Sequence, residues 1–266
     1  MPAISTRDLT FTYAGANAPS MESVSLSVEK GEFVILTGPS GCGKTTFCRC
    51  LNGLIPNFYS GELRGDIFVD EVNVSEKSTA ELSRHIGFVF QNPENQLFSL
   101  SVERDVAFGL ENLGVPEEEA LARVKWAMKS TGIENLRNKA PYELSGGQQQ
   151  RAAIAGVLAM KPEIIILDEP MSNLDPKTSS KVLKLLKQLN KELGMSLIIA
   201  THDVDLVPLF ADEICILNKG QIVIEGPPQE IFAKADLIRS VDLRLPRITH
   251  LFEILNKEDS LRPDKQ

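Results

Sequence analysis

The stretch Gly38-Pro39-Ser40-Gly41-Cys42-Gly43-Lys44-Thr45 constrains this chain more than any other. Glycine at the first and sixth positions, followed by lysine and a hydroxyl, is the pattern of a phosphate-binding loop joining a strand to a helix. The flanks supply that context: Glu32-Phe-Val-Ile-Leu36 reads as a short apolar strand and Thr46-Phe-Cys-Arg-Cys-Leu51 as the opening of a helix. Backbone N–H groups surround a polyphosphate only where side chains leave room, which Gly38, Gly41 and Gly43 provide. The helix starting at Lys44 directs its dipole and unpaired amides at the anion. Lys44 then reaches the outer phosphates and the Thr45 hydroxyl is placed to ligate magnesium, so the expected ligand is ATP or GTP cradled by residues 38–46, Thr46 included.

No apolar run approaches the eighteen or so residues of a membrane span, and Met1-Pro-Ala-Ile-Ser-Thr-Arg7 lacks the order of a signal peptide, so an intracellular protein is expected. A net charge of −8 argues against nucleic-acid or anionic-lipid binding through bulk electrostatics, and any membrane association then runs through a protein partner. Cys42, Cys48, Cys50 and Cys215 form no Cys-x-x-Cys pair and read as reduced core or helix residues.

Around the loop the chain alternates strand and helix. Leu9, Phe11 and Tyr13 share one face and Val24, Leu26 and Val28 another, which predicts a small antiparallel sheet. Tyr13 lies shortly upstream of the loop, where its ring can stack on an adenine. Turn signals follow the first helix at Ile55-Pro-Asn, Ser60-Gly61 and Arg64-Gly65, then strands at Asp66–Val69 and Ile86–Phe90, the latter ending on Gln91. Beside a nucleotide, the Gln91 carbonyl can touch the magnesium or the attacking water. Residues from about 92 to 147 read as a helical insertion, with Pro116 and Glu117-Glu-Glu119 starting a helix whose Leu121, Val124 and Met128 recur at helical spacing.

Leu144-Ser145-Gly146-Gly147-Gln148 opens a further helix through Met160, and Ser145 as its cap with two bare glycines makes a second anion site. Glu163–Leu167 reads as a buried parallel strand that ends in Asp168 and Glu169. Neighbouring strand residues point opposite ways, so Asp168 is assigned to the magnesium shell and Glu169 to a water beyond the last phosphate. Ser172-Asn-Leu-Asp175 and Pro176 turn into an amphipathic helix, with Val182, Leu185, Leu186, Leu189 and Leu193 inward and lysines 181, 184, 187 and 191 solvated. Ser196–Ala200 is the next buried strand and places His202 at the same edge as Asp168, within reach of a terminal phosphate. Glu213–Leu217 and Gln221–Glu225 form a hairpin, His85 and His250 receive no role, and the apolar content beyond Gly226 predicts packing on the domain or a partner, with 262–266 loose.

In this order the residues resemble the ATP-binding cassette family over about residues 4 to 225. The resemblance implies an α/β fold: a P-loop NTPase (RecA-like) parallel-sheet core in an ATPase domain at 1–225, with an N-terminal antiparallel β subdomain, the helical insertion, and a C-terminal extension at 226–266. It implies ATP and Mg2+ as cofactors, Tyr13 stacking on adenine, Glu169 polarising water, His202 sensing the γ-phosphate, Lys44 and Gln91 in catalysis, Thr45, Gln91 and Asp168 at the metal, and 145–148 with Asp175 contacting nucleotide. Asn173 departs from the Ala or Gly of many members. Two anion sites in one chain match the family's head-to-tail dimer, in which each loop faces the other chain's Ser145. Gln91-Asn-Pro-Glu-Asn-Gln-Leu-Phe98 and Asp242–Thr249 are similar to energy-coupling-factor ATPases, importers of vitamins and cobalt or nickel. That subgroup implies a homodimer or a heterodimer with a related ATPase at the cytoplasmic face of the membrane. It also implies a transmembrane coupling protein seated beside 92–98, a small membrane substrate-binding protein, and a C-terminal segment that helps hold the ATPase pair together. A conventional importer motor and a soluble assembly ATPase are the alternatives.

Overall fold

The computed structural model describes residues 2–206, 209–241 and 243. The chain begins with β1 (Ile4–Tyr13), β2 (Met21–Val28), β3 (Phe33–Thr37), α1 (Lys44–Leu51), the short α2 (Leu54–Asn57), β4 (Gly61–Val69), β5 (Val72–Asn73), α3 (Thr79–Leu82) and β6 (Ile86–Val89). The helical stretch holds α4 (Val102–Asn112), α5 (Glu117–Ser130) and α6 (Gly146–Ala159). Strands and helices alternate again through β7 (Ile164–Asp168), α7 (Pro176–Leu193) and β8 (Ser196–Thr201). The hairpin of β9 (Glu213–Asn218) and β10 (Gln221–Gly226) leads to α8 (Pro228–Phe232) and α9 (Ala235–Ser240).

A six-stranded sheet runs β10-β9-β3-β8-β7-β6, all parallel except β10. Its central strands are buried along their whole length and mainly aliphatic, because both faces are covered. Phe33 and Ile35 of β3 pack with Ile165, Leu167, Leu197 and Ile199 against α4 to α7, while Val34 and Leu36 pack with Ile164, Ile166 and Ile198 toward α1 and the second sheet. That second sheet is antiparallel, in the order β2-β1-β4-β5. The α/β core with its antiparallel subdomain and helical insertion is therefore the one expected.

Several local readings are corrected. Ser60-Gly61 marks the start of β4, as its turn signal suggests, whereas Arg64-Gly65 is not a turn between elements, because β4 runs through Gly65 as a partner of β1. Gly65 sits at a register shift opposite Asp8, with φ +87° and no space for a Cβ against the Arg7 and Asp8 carbonyls, so its glycine marks a bulge. Ile55-Pro-Asn falls in the short α2, which breaks at Ile55, where the backbone is extended (φ −104°, ψ 127°), as the turn signal there suggests. Leu121 is exposed on α5, whose inner face is Ala120, Val124, Ala127 and Met128. On α7 the inner face uses Leu183 where Leu193 was expected, and Leu193 is exposed. Lys187 is not merely solvated: its Nζ meets Asp212 at 2.9 Å and lies 5.3 Å from the Phe33 ring centroid.

Beyond β10 the chain returns to its own domain, where Ile231, Ile238, Val241 and Leu243 join the core cluster of α4 to α7. Residues 244–266 lie outside the described residues, and with them His250, the loose end expected at 262–266 and nearly all of the Asp242–Thr249 resemblance. All four cysteines are buried free thiols, and burial pushes the Cys48, Cys50 and Cys215 thiols well above their usual range.

Candidate functional site

Ligands of open α/β sheets bind beyond the C-terminal strand ends, and the register here fixes what meets there. Thr37 of β3 pairs with Thr201 of β8, and Ala200 of β8 with Asp168 of β7. The next residues along each strand are Gly38, His202 and Glu169, so the phosphate loop, a histidine and a carboxylate converge at one edge.

The loop leaves β3 and enters α1 through positions that only glycine fits well. A Cβ on Gly38 would lie 2.0 Å from the Leu217 carbonyl oxygen, and one on Gly43, at φ +111°, 2.7 Å from that of Ser20. Lys44 is buried and folds back on its own loop, with Nζ donating to the Gly38 oxygen at 2.8 Å and the Pro39 oxygen at 3.1 Å. Its ammonium is 3.9 Å from Glu169 Oε1 and 4.0 Å from Cys42 Sγ. Thr45 Oγ1 donates to Asp168 Oδ1 at 3.0 Å. Burial pushes the Asp168 carboxyl above its ordinary value, the Thr45 bond opposes that shift, and neighbouring Glu169 adds to it. A hydroxyl and a carboxylate are an all-oxygen donor set, the chemistry that a hard cation such as Mg2+ selects.

Glu169 turns the chain with φ +47°, a backbone region that non-glycine residues seldom occupy, and its N–H is held by the Ala200 oxygen at 2.8 Å. Both of its carboxylate oxygens lie 2.9 Å from His202 Nδ1. The carboxylate is almost covered while the imidazole side chain is 57% exposed, so His202 faces outward from the pair. A carboxylate held between an ammonium and an imidazole can accept a proton from a water positioned outside it.

Tyr13, expected beneath adenine, has its hydroxyl 3.1 Å from Thr46 Oγ1 and its ring edge-on to Phe11, which places it against the first turn of α1. Gln91 is exposed two residues past Val89, and Val89 pairs with Leu167, two residues before Glu169. A cavity of about 290 Å3 joins Gln91 to Leu144, Gly146, Gln150 and Asn173. Asn173 explains its own departure from the family pattern: its Nδ2 donates to Asn92 Oδ1 at 3.1 Å and ties two site loops together.

Ser145 stands at the N-cap of α6 with extended backbone, and its N–H donates to Gln148 Oε1 at 2.9 Å. Asp175, expected at the nucleotide, caps α7: Oδ1 accepts from the Lys177 and Thr178 N–H groups at 3.0 Å each, and bonds with Thr178 hold its carboxyl below the usual range. Among the described residues, 145–148 share no hydrogen bond or ion pair with 38–46, so no such bond links the two stretches expected to bind anion. Gln96, quoted only as part of the Gln91–Phe98 resemblance and given no role, accepts from the Phe90 N–H at 3.1 Å and donates to the Phe88 oxygen at 3.2 Å, shaping the Gln91 loop. Sequence reasoning missed Asp105, which caps the 98–99 turn, and no motif spacing signals it.

The family model described as ABC transporter matches residues 21–172. An energy-coupling factor transporter ATP-binding protein, EcfA, of Methanocaldococcus jannaschii is 46% identical over 98% of this chain and 92% of its own length. EcfA2 of Clostridium perfringens is 44% identical over 95% of this chain and 87% of its own. The solved structure of cbiO1 from Clostridium perfringens, described as part of the ABC transporter complex cbiONQ, superposes with TM-score 0.80 at 42% identity, covering 95% of this chain and 99% of that one. A dimeric ATP-binding cassette in a post-hydrolysis state with ADP and Pi superposes with TM-score 0.74 at 32% identity, covering 85% of this chain and 98% of that one.

Proposed function

This chain belongs to the ABC transporter family of ATPases, and on that premise we propose that it powers uptake of a micronutrient, a vitamin or a cobalt or nickel ion, through a transmembrane partner. The observation that carries the reading is the cluster of Lys44, Glu169 and His202 on the sheet edge, with Thr45 and Asp168 beside it. ATP draws the Lys44 ammonium off the Gly38 and Pro39 carbonyls onto its outer phosphates. A water outside Glu169 attacks the γ-phosphorus, the bond to the β-phosphate oxygen breaks, and Glu169 takes the water's proton. His202 orients that carboxylate and contacts the terminal phosphate, while Tyr13 lies under the adenine. Thr45, Asp168 and Gln91 would hold Mg2+, which when bound neutralises charge on the phosphates.

In this reading a nucleotide on 38–46 is half enclosed by one chain, because 145–148 shares no hydrogen bond or ion pair with that loop. A second copy, or a related ATPase, turned head to tail places its Ser145–Gln148 helix start against the exposed phosphates. The dimeric cassette among the solved relatives supports this arrangement.

No helix among the described residues is long and apolar enough to cross a membrane, so transport runs through partners: a transmembrane coupling protein and a small membrane protein that binds the cargo. The seat proposed for the coupling protein is a groove of about 430 Å3 beside the 92–98 loop, lined by Phe90, Phe98, Asp105, Phe108 and Met160. Phe98 is 66% and Phe108 43% exposed, their rings stack edge to face, and Asp105 Oδ2 is buried without a protein partner. Apolar side chains and a donor from a helix of the partner complement that lining. The test is capture of the tagged chain from gently solubilised membranes of its source. Recovery of one coupling protein with a small binding protein supports the reading, whereas recovery of soluble partners alone contradicts it.

A further inference from the structure

We infer that Asp70, His85 and Glu163 form a binding site for a divalent transition-metal ion at the sheet edge opposite the phosphate loop. One ligand atom from each side chain lies within 4.8 Å of the others. The three arrive from different elements: Asp70 turns β4 into β5, His85 precedes β6, and Glu163 precedes β7. The five residues of β7 separate this cluster from Glu169, roughly 20 Å of extended chain, so the site stands apart from ATP hydrolysis.

The backbone holds the three in place before any ion arrives. The His85 oxygen accepts from both Glu163 N–H and Ile164 N–H at 3.1 Å, His85 N–H donates to Leu82 at 2.9 Å, and Asp70 N–H donates to Ala3 at 2.9 Å. Zinc-like ions bind nitrogen and oxygen at about 2.0–2.2 Å, which puts neighbouring ligand atoms about 3–4 Å apart. Small side-chain rotations therefore close the present spacing onto an ion.

The donor chemistry selects the ion. One imidazole and two carboxylates make a mixed nitrogen and oxygen set suited to Zn2+, Co2+, Ni2+ or Mn2+, whereas Mg2+ and Ca2+ prefer oxygen alone. A separate observation comes from His85, whose Nδ1 is buried and has no hydrogen-bond partner, a costly state for a ring nitrogen and one that coordination through Nδ1 relieves. Asp70 and Glu163 also line the wall of a cavity of about 810 Å3 with Trp126 and Lys161, leaving room for water at the remaining coordination positions. Lys30 is the competitor: its ammonium pairs with Asp70, and its side chain is 59% exposed and free to swing out. An ion here ties the antiparallel sheet to the parallel one.

The experiment titrates the tag-free, nucleotide-free full chain with Co2+ in excess Mg2+, following the visible absorption of bound Co2+ and its displacement by Zn2+. The expected result is one saturable equivalent and a thermal midpoint that rises with Co2+. Glu163→Gln, at an exposed position, and His85→Gln each weaken binding by at least about tenfold. Lys30→Met tightens it, which a plain surface ion pair does not predict. Absence of saturable Co2+ binding in both the unaltered chain and Lys30→Met overturns the inference, as does binding unchanged by Glu163→Gln.

Discussion

Glu169 works through its surroundings: a strained backbone, an imidazole 2.9 Å away and an ammonium at 3.9 Å hold one carboxylate where a water can meet it. Glu169→Gln keeps the shape and removes the proposed base, so ATP binding is expected to persist while steady-state hydrolysis falls by about 10²-fold or more. Asp168 tells the complementary story. Its folded pKa is raised, chiefly by burial, so its proton binds the folded chain more tightly than the unfolded one. The matching stability is present at acid pH and lost as pH rises through the raised value. Asp168→Asn, which still accepts from Thr45, therefore makes the nucleotide-free protein more resistant to urea at neutral pH, and the gain disappears below the ordinary carboxylate range. The placement of these two acids at the sheet edge was legible because they end an aliphatic strand. The contact between Glu169 and His202 was not, since it depends on how β7 and β8 pair.

At the scale of elements, α7 anchors the parallel sheet. Asp175 caps it, Pro176 starts it, Gly194 ends it in a left-handed turn, and Val182, Leu183, Leu186 and Leu189 fill the core. Leu186→Ala, at a fully buried position, is expected to cost about 2–5 kcal/mol in chemical unfolding. The inward stripe was readable from helical spacing, yet Leu193 escaped it because the helix ends there. Arg64-Gly65 misled for a related reason, since glycine marks a bulge within a strand as readily as a turn between strands. The groove beside α4 is a surface that no motif announces beyond the 91–98 segment. Phe98→Asp is expected to reduce recovery of the membrane partners at least several-fold in pull-downs while ATP binding is retained.

Across the whole molecule, two layers pack on one sheet and leave the hydrolytic edge open toward solvent. The motif residues Lys44, Glu169 and His202 meet at that edge, and 57% exposure of the His202 side chain shows how little one chain covers it. Contacts between distant residues escaped sequence reasoning, as with Asn92 and Asn173 or the Asp70, His85 and Glu163 cluster, because nothing local signals them. In the proposed cycle ATP is enclosed between two chains and hydrolysis releases them, and sedimentation velocity of Glu169→Gln with and without ATP measures this. A monomer that becomes a dimer with bound ATP, and returns to monomer when ATP is removed, is the predicted result. A variant that binds ATP to saturation and remains a monomer contradicts it.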